Sequence, residues 1–95
     1  MRVFKSDGRY KFHNQGLVYI CELLWHGERE LFKKLIPAFA EMYGLSHESV
    51  PTANGFNIRK YNEHYRFEMN TKAKRRRIYM REEHYITMVM LTLGH

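Results

Sequence analysis

Two periodicities divide the chain. Between residues 17 and 43 apolar positions recur every three or four residues, whereas from residue 56 onward they alternate with polar ones, so the pattern predicts helices followed by strands. Leu17, Val18, Ile20, Cys21, Leu24 and Trp25 have the spacing of one helix face, with Asn14 as N-cap and Gly27 just past the end. Leu31, Phe32, Leu35, Ile36, Phe39, Met42 and Tyr43 continue as a second helical stripe over residues 28–44. Pro37 lies inside that stripe and lacks the N–H for a bond to residue 33, which predicts a kink or break there. Ahead of both, Val3 and Phe4, the turn signal Ser6-Asp7-Gly8, then Tyr10 and Phe12 predict a short hairpin.

In the second half, Tyr61, Tyr65, Phe67 and Met69 fall on one side of an extended segment and Lys60, Asn62, His64, Arg66 and Glu68 on the other. Residues 78–93 then read as the returning strand of the same hairpin, because Ile86, Thr87, Val89 and Thr92 are β-branched. The competing reading is a C-terminal helix, since Tyr79, Ile86, Val89, Met90 and Leu93 also share a helical face. The fold class expected is α+β, with two N-terminal helices packed on an antiparallel β-hairpin or small sheet. A winged-helix-like arrangement is its sharper form. Tyr65 and Phe67 are expected to be buried against Leu35 and Phe39. With no repeat and no linker-like stretch, residues 1–95 read as one small domain.

The stretch Ala40-Glu-Met-Tyr-Gly44-Leu45-Ser46-His-Glu-Ser-Val50 resembles the Ala, Gly-Leu-Ser, Val spacing of helix-turn-helix segments. The resemblance implies that Gly44 takes a left-handed turn conformation, Ser46 caps a second helix and Val50 locks it onto the core. Pro51 and the Ala53-Asn54-Gly55 stretch depart from the pattern. The plainer alternative is that Gly44 ends the long helix and residues 46–55 form a loop with one short helical turn.

Composition narrows the class. At 44% hydrophobic and 15% aromatic, the chain has enough apolar surface to offset its ordering entropy, so an ordered globule is expected. The lone Cys21 excludes an internal disulfide and is expected to be a buried, inert thiol; a reducing, cytoplasmic setting fits best. No apolar run approaches a membrane span, and no cofactor or metal motif stands out.

Charge is unevenly placed: residues 1–55 carry 7 Lys plus Arg against 6 acids, and residues 56–95 carry 9 against 4. At the centre of the excess is the run Lys72, Lys74, Arg75, Arg76 and Arg77, to which Arg59, Lys60 and Arg66 add a candidate patch. Such a basic hairpin is expected to grip DNA or RNA phosphates without catalysis. Equally, Lys and Arg there could simply solvate a loop and keep strand edges unpaired. Tyr79 and Tyr85 are the tyrosines left open for stacking on bases. Glu82, Glu83 and His84, with His64 opposite, have no spacing diagnostic of an enzyme, so no catalytic activity is expected. The alternative function is a protein-binding module or inhibitor, of the compact kind that phages and mobile elements encode, docking on a nucleic-acid-handling protein.

Overall fold

A computed structural model describes residues 1–94, the side chain of Arg59 excepted. It is an α+β structure with two antiparallel sheets and two helices. The strands are β1 (Arg2–Lys5), β2 (Tyr19–Leu23), β3 (His47–Thr52), β4 (Gly55–Tyr61), β5 (Tyr65–Asn70) and β6 (Arg75–Met80); the helices are α1 (Arg29–Tyr43) and α2 (His84–Thr92). The main sheet has the order β1-β2-β6-β5, and β3 pairs with β4 in a separate two-stranded sheet.

Both helices cover one face of the main sheet. Phe32, Leu35, Ala38 and Phe39 of α1 and Tyr85, Ile86 and Val89 of α2 pack on Cys21, Leu23, Tyr65, Ile78 and Met80. Tyr65 and Phe67 contact Phe39 as expected, with ring centroids 5.0 and 5.6 Å apart, but only Tyr65 is fully buried; Phe67 is half-buried at the rim of the core. Segment 10–17 lies over the opposite face, where Leu17, Tyr10 and Phe12 meet Ile20, Tyr79 and Phe4.

That second cover explains the first correction. The expected helix at 17–25 is strand β2, because both faces of this strand are buried: Ile20 faces segment 10–17 and Cys21 faces the helices. A strand covered on both sides is a continuous apolar run and loses the alternation that would mark it. In place of the expected hairpin over 3–12, β1 pairs with β2, Arg2 opposite Glu22 and Lys5 opposite Tyr19, and the residues between form a loop and a short 3₁₀ turn at His13–Gln15. Thus the helices are not both N-terminal, and the winged-helix-like order does not occur.

Helix α1 matches its stripe and runs unbroken through Pro37, which sits on the exposed side with Lys33. Missing N–H donors are tolerated there because water reaches the freed carbonyl. Gly44 ends the helix with φ 89° and ψ 165°, a combination close to glycine-only that sends the chain out extended rather than round into a second helix. The helix-turn-helix reading therefore fails; of the alternative, Gly44 does end the long helix, but residues 46–55 are not a loop. Residues 47–52 are strand β3, Ala53-Asn54 is its turn, and Val50 is exposed rather than locked into the core.

Asn62, Glu63 and His64 divide the long strand expected from residue 56 into β4 and β5, which belong to different sheets. Asn62 makes the break: its Nδ2 donates to the carbonyls of Tyr43 (2.9 Å) and Leu45 (3.0 Å), and its Oδ1 accepts the His64 N–H (2.7 Å). The returning strand is real only to Met80, after which residues 84–92 form α2. Here burial overrides propensity. Helical spacing places Tyr85, Ile86 and Val89 together in the core, a gain of about 1.5–3 kcal/mol per large apolar side chain, against a helix penalty for β-branched residues of under about 0.7 kcal/mol each.

Candidate nucleic-acid interface

Residues 71–74 form the turn joining β5 to β6, closed by an Ala73 N–H donating to Asn70 Oδ1 at 3.0 Å and a Lys74 N–H donating to the Thr71 carbonyl at 3.3 Å. Lys72 and Lys74 are exposed on this turn and Arg75 follows at its foot. None of the ion pairs among the described residues involves Lys72, Lys74 or Arg75. Beside the turn lies a cleft of about 370 Å³ lined by Lys74, Arg75, Arg77, Glu22, Leu24 and Trp25.

Strand alternation splits the rest of the basic run. Arg76 points to the helix side and is 6% exposed; its guanidinium lies 4.0 Å from the Trp25 ring centroid and donates to the Trp25 carbonyl at 2.6 Å. Arg77 points to the other face, where its Nε pairs with Glu22 Oε2 at 2.7 Å and its guanidinium lies over Tyr10. Glu22 also receives Arg2 at 3.2 Å, so the register aligns a row of alternating charge, Arg2, Glu22, Arg77 and Glu68, across all four strands. These two arginines are built into the body of the protein.

Arg66 is similarly committed. Its guanidinium lies 3.7 Å from the Tyr61 ring centroid and 4.8 Å from that of Phe12, and it donates to Gln15 Oε1 at 3.0 Å. Its Nε has no partner, and desolvation lowers its pKa from the ordinary arginine value. Lys60 stands on the separate β3–β4 sheet opposite Glu48, away from the β5–β6 turn in topology, and the Arg59 side chain lies outside the described residues. The structure therefore gathers Lys72, Lys74 and Arg75 at one turn and does not join them to Lys60.

No protein-family model, curated protein or solved structure matches this chain.

Trp25 is the residue of this region that the pattern of basic positions missed. Its helical spacing drew it into a helix that does not exist. Tyr79 and Tyr85, expected at an open rim, are 1% and 8% exposed, and burial raises the pKa of both phenols. Tyr79 donates to Glu68 at 2.8 Å and the Tyr85 hydroxyl pairs with His64 Nδ1 at 3.1 Å, so neither presents a free ring face. Cys21 is fully buried and desolvation pushes its thiol up to about 12, the inert state expected of it. Among the described residues, no three His, Cys, Asp or Glu side chains are grouped as a metal site, and no helix is long and apolar enough to cross a membrane.

Proposed function

We propose that the chain binds DNA or RNA without catalysis, through phosphate contacts made by Lys72, Lys74 and Arg75 at the β5–β6 turn. The observation that carries this reading is the division of labour within the basic run. Arg76 and Arg77 have protein partners, while the three cations before them have no ion-pair partner among the described residues, and two of them, Lys74 and Arg75, line a cleft containing Trp25. Unpaired cations on a well-held turn can replace the counterions of a phosphate backbone without first breaking a bond of their own. Net charge of +6 adds a favourable long-range field. Lys60, Arg59 and Arg66 are left out of the contact set, Arg66 because it is already stacked and partly desolvated.

The test is titration of labelled duplex and single-stranded oligonucleotides at several salt concentrations, comparing the wild type with Lys72→Ala/Lys74→Ala/Arg75→Ala. The triple variant is expected to remain folded, to bind more weakly, and to lose about 0.9 from the log–log salt slope for each duplex phosphate contact removed. Identical affinity and slope in the variant would reject the assignment.

A protein-docking role is the second reading, favoured by the β3–β4 hairpin. Cross-strand pairing puts Pro51 with Phe56, Ser49 with Ile58 and His47 with Tyr61, so one face of the hairpin is largely apolar and aromatic. Phe56 is 76% exposed and the preceding Leu45 74%. Co-purification with and without nuclease separates the readings, since a docked protein survives digestion.

A further inference from the structure

We propose that the groove between α1 and the free edge of β5 is a docking site for an acidic, extended peptide segment of another protein, which joins the main sheet as a fifth strand. The sheet order leaves β5 unpaired on one side. With Tyr65 opposite Met80 in register, the Arg81 N–H donating to the His64 carbonyl at 2.9 Å fixes the hydrogen-bonding phase of the β5–β6 pair. Arg66, Glu68 and Asn70 therefore exchange backbone bonds with β6, while the N–H and C=O groups of Phe67 and Met69 point to the open edge; Tyr65, which shares their phase, is fully buried and marks where the edge is covered. That is the template an incoming strand requires.

Alongside this edge runs a groove of about 870 Å³. Phe67 and Met69 form its strand wall and Phe32 and Ile36 its helix wall, with Met69 62% and Ile36 43% exposed. Alternate side chains of an added strand, about 6.8 Å apart, would enter the apolar part. The charged lining sets the sign of the partner. Arg29 and Lys33, four residues apart on α1, line it together with Arg76 and His26, and no acidic residue does. Lys33 is held only by an exposed pair with Glu30 at 3.7 Å, which a peptide carboxylate can displace at little cost.

Nucleic acid fits this groove poorly. Phe32 meets Phe67 edge to face, at 5.7 Å and 89°, and is itself 5% exposed, so its ring offers no open face to a base. Nor does a nucleotide chain present the alternating N–H and C=O groups that the β5 edge matches. The groove cations are also distinct from Lys72, Lys74 and Arg75, so the two proposals stand separately.

The experiment uses fluorescence anisotropy with a labelled peptide carrying two leading glutamates followed by alternating isoleucine and threonine. The controls are the same peptide with lysines for the glutamates, a version N-methylated at alternate amides, and a single-stranded oligonucleotide. The glutamate peptide is expected to bind best, to lose at least about tenfold in affinity on Arg29→Glu/Lys33→Glu, and to slow amide exchange at Phe67 and Met69. These exposed substitutions leave the core intact, and a melting curve checks that they do. Equal binding of the lysine or N-methylated peptide would overturn the proposal, as would unchanged affinity in the double variant. So would displacement of amide protection to another strand, or occupation of the groove by the oligonucleotide alone.

Discussion

Three adjacent arginines do three different things. Arg75 has no ion pair among the described residues, Arg76 stacks on Trp25 beneath the helix side, and Arg77 joins Glu22 on the opposite face. Arg76→Ala should cost about 2–4 kcal/mol, because it removes a desolvated cation–π contact and leaves the Trp25 carbonyl short of a donor. Lys72→Ala and Lys74→Ala should each change stability by less than about 0.5 kcal/mol. Urea denaturation of the single variants measures the difference. Tyr65, Tyr79, Tyr43 and Tyr85 all have pKa values raised chiefly by burial, against an ordinary value of about 10. A group with a raised folded pKa contributes fully below its unfolded pKa and loses that contribution as pH rises through the folded one, so these four favour folding up to about pH 10 and oppose ionisation above it. Ultraviolet titration of phenolate should therefore show these four of the seven tyrosines ionising late, together with loss of the fold. Ionisation of all seven in one step while the fold persists would contradict that. At this scale the sequence identified the charges and placed Phe39 and Tyr65 in the core, but it left Tyr79 and Tyr85 at an open rim and did not show which cations were spoken for. That depends on partners fifty or more residues away, as with Arg77 and Glu22.

Among the elements, α1 was readable because it is buried on one side only, and the β4–β5 stretch because polar and apolar residues alternate through it, whereas β6 begins inside the run of arginines expected at the hairpin tip. β2 was misread because it is covered on both faces, and α2 because its β-branched residues spoke for a strand while its spacing spoke for a helix. The division of β4 from β5 was hidden in Asn62, whose side chain replaces three strand-like backbone links with bonds to Tyr43, Leu45 and His64. Asn62→Ala should cost about 0.5–1.5 kcal/mol per half-buried hydrogen bond lost, those to Tyr43 and His64, with little for the exposed Leu45 carbonyl. The β3–β4 hairpin should respond most. A two-stranded sheet with β3 exposed at every position is marginal by itself, so its amides are expected to exchange fastest and to speed up further in the variant. Exchange at Ile78 and Tyr79 in the central strand should follow global stability alone. Equal protection of hairpin and central strand would refute this division.

For the whole molecule, the candidate site is a product of topology. The run 72–77 is visible in the sequence as a block of charge, but the fold converts it into a turn with free cations followed by a strand that consumes the next ones. Trp25 on the β2–α1 connection and the groove cations Arg29 and Lys33 in the first turns of α1 reach the same end of the structure, and no spacing along the chain announces their meeting with the β5–β6 turn. The α+β class was legible; the order of its elements was not.

The same turn has a consequence for the integrity of the chain. Trypsin needs an exposed, pliable segment bearing Lys or Arg, and the β5–β6 turn offers Lys72 and Lys74 while Arg76 and Arg77 are withheld in a central strand. A single nick there would leave a C-terminal fragment holding β6 and α2. β6 lies between β2 and β5, and Ile86 and Val89 are in the shared core, so the fragment stays clasped by the rest after cleavage. Two peptides in a denaturing gel should therefore travel as one particle on a sizing column, and the protein should tolerate new chain ends opened at this turn.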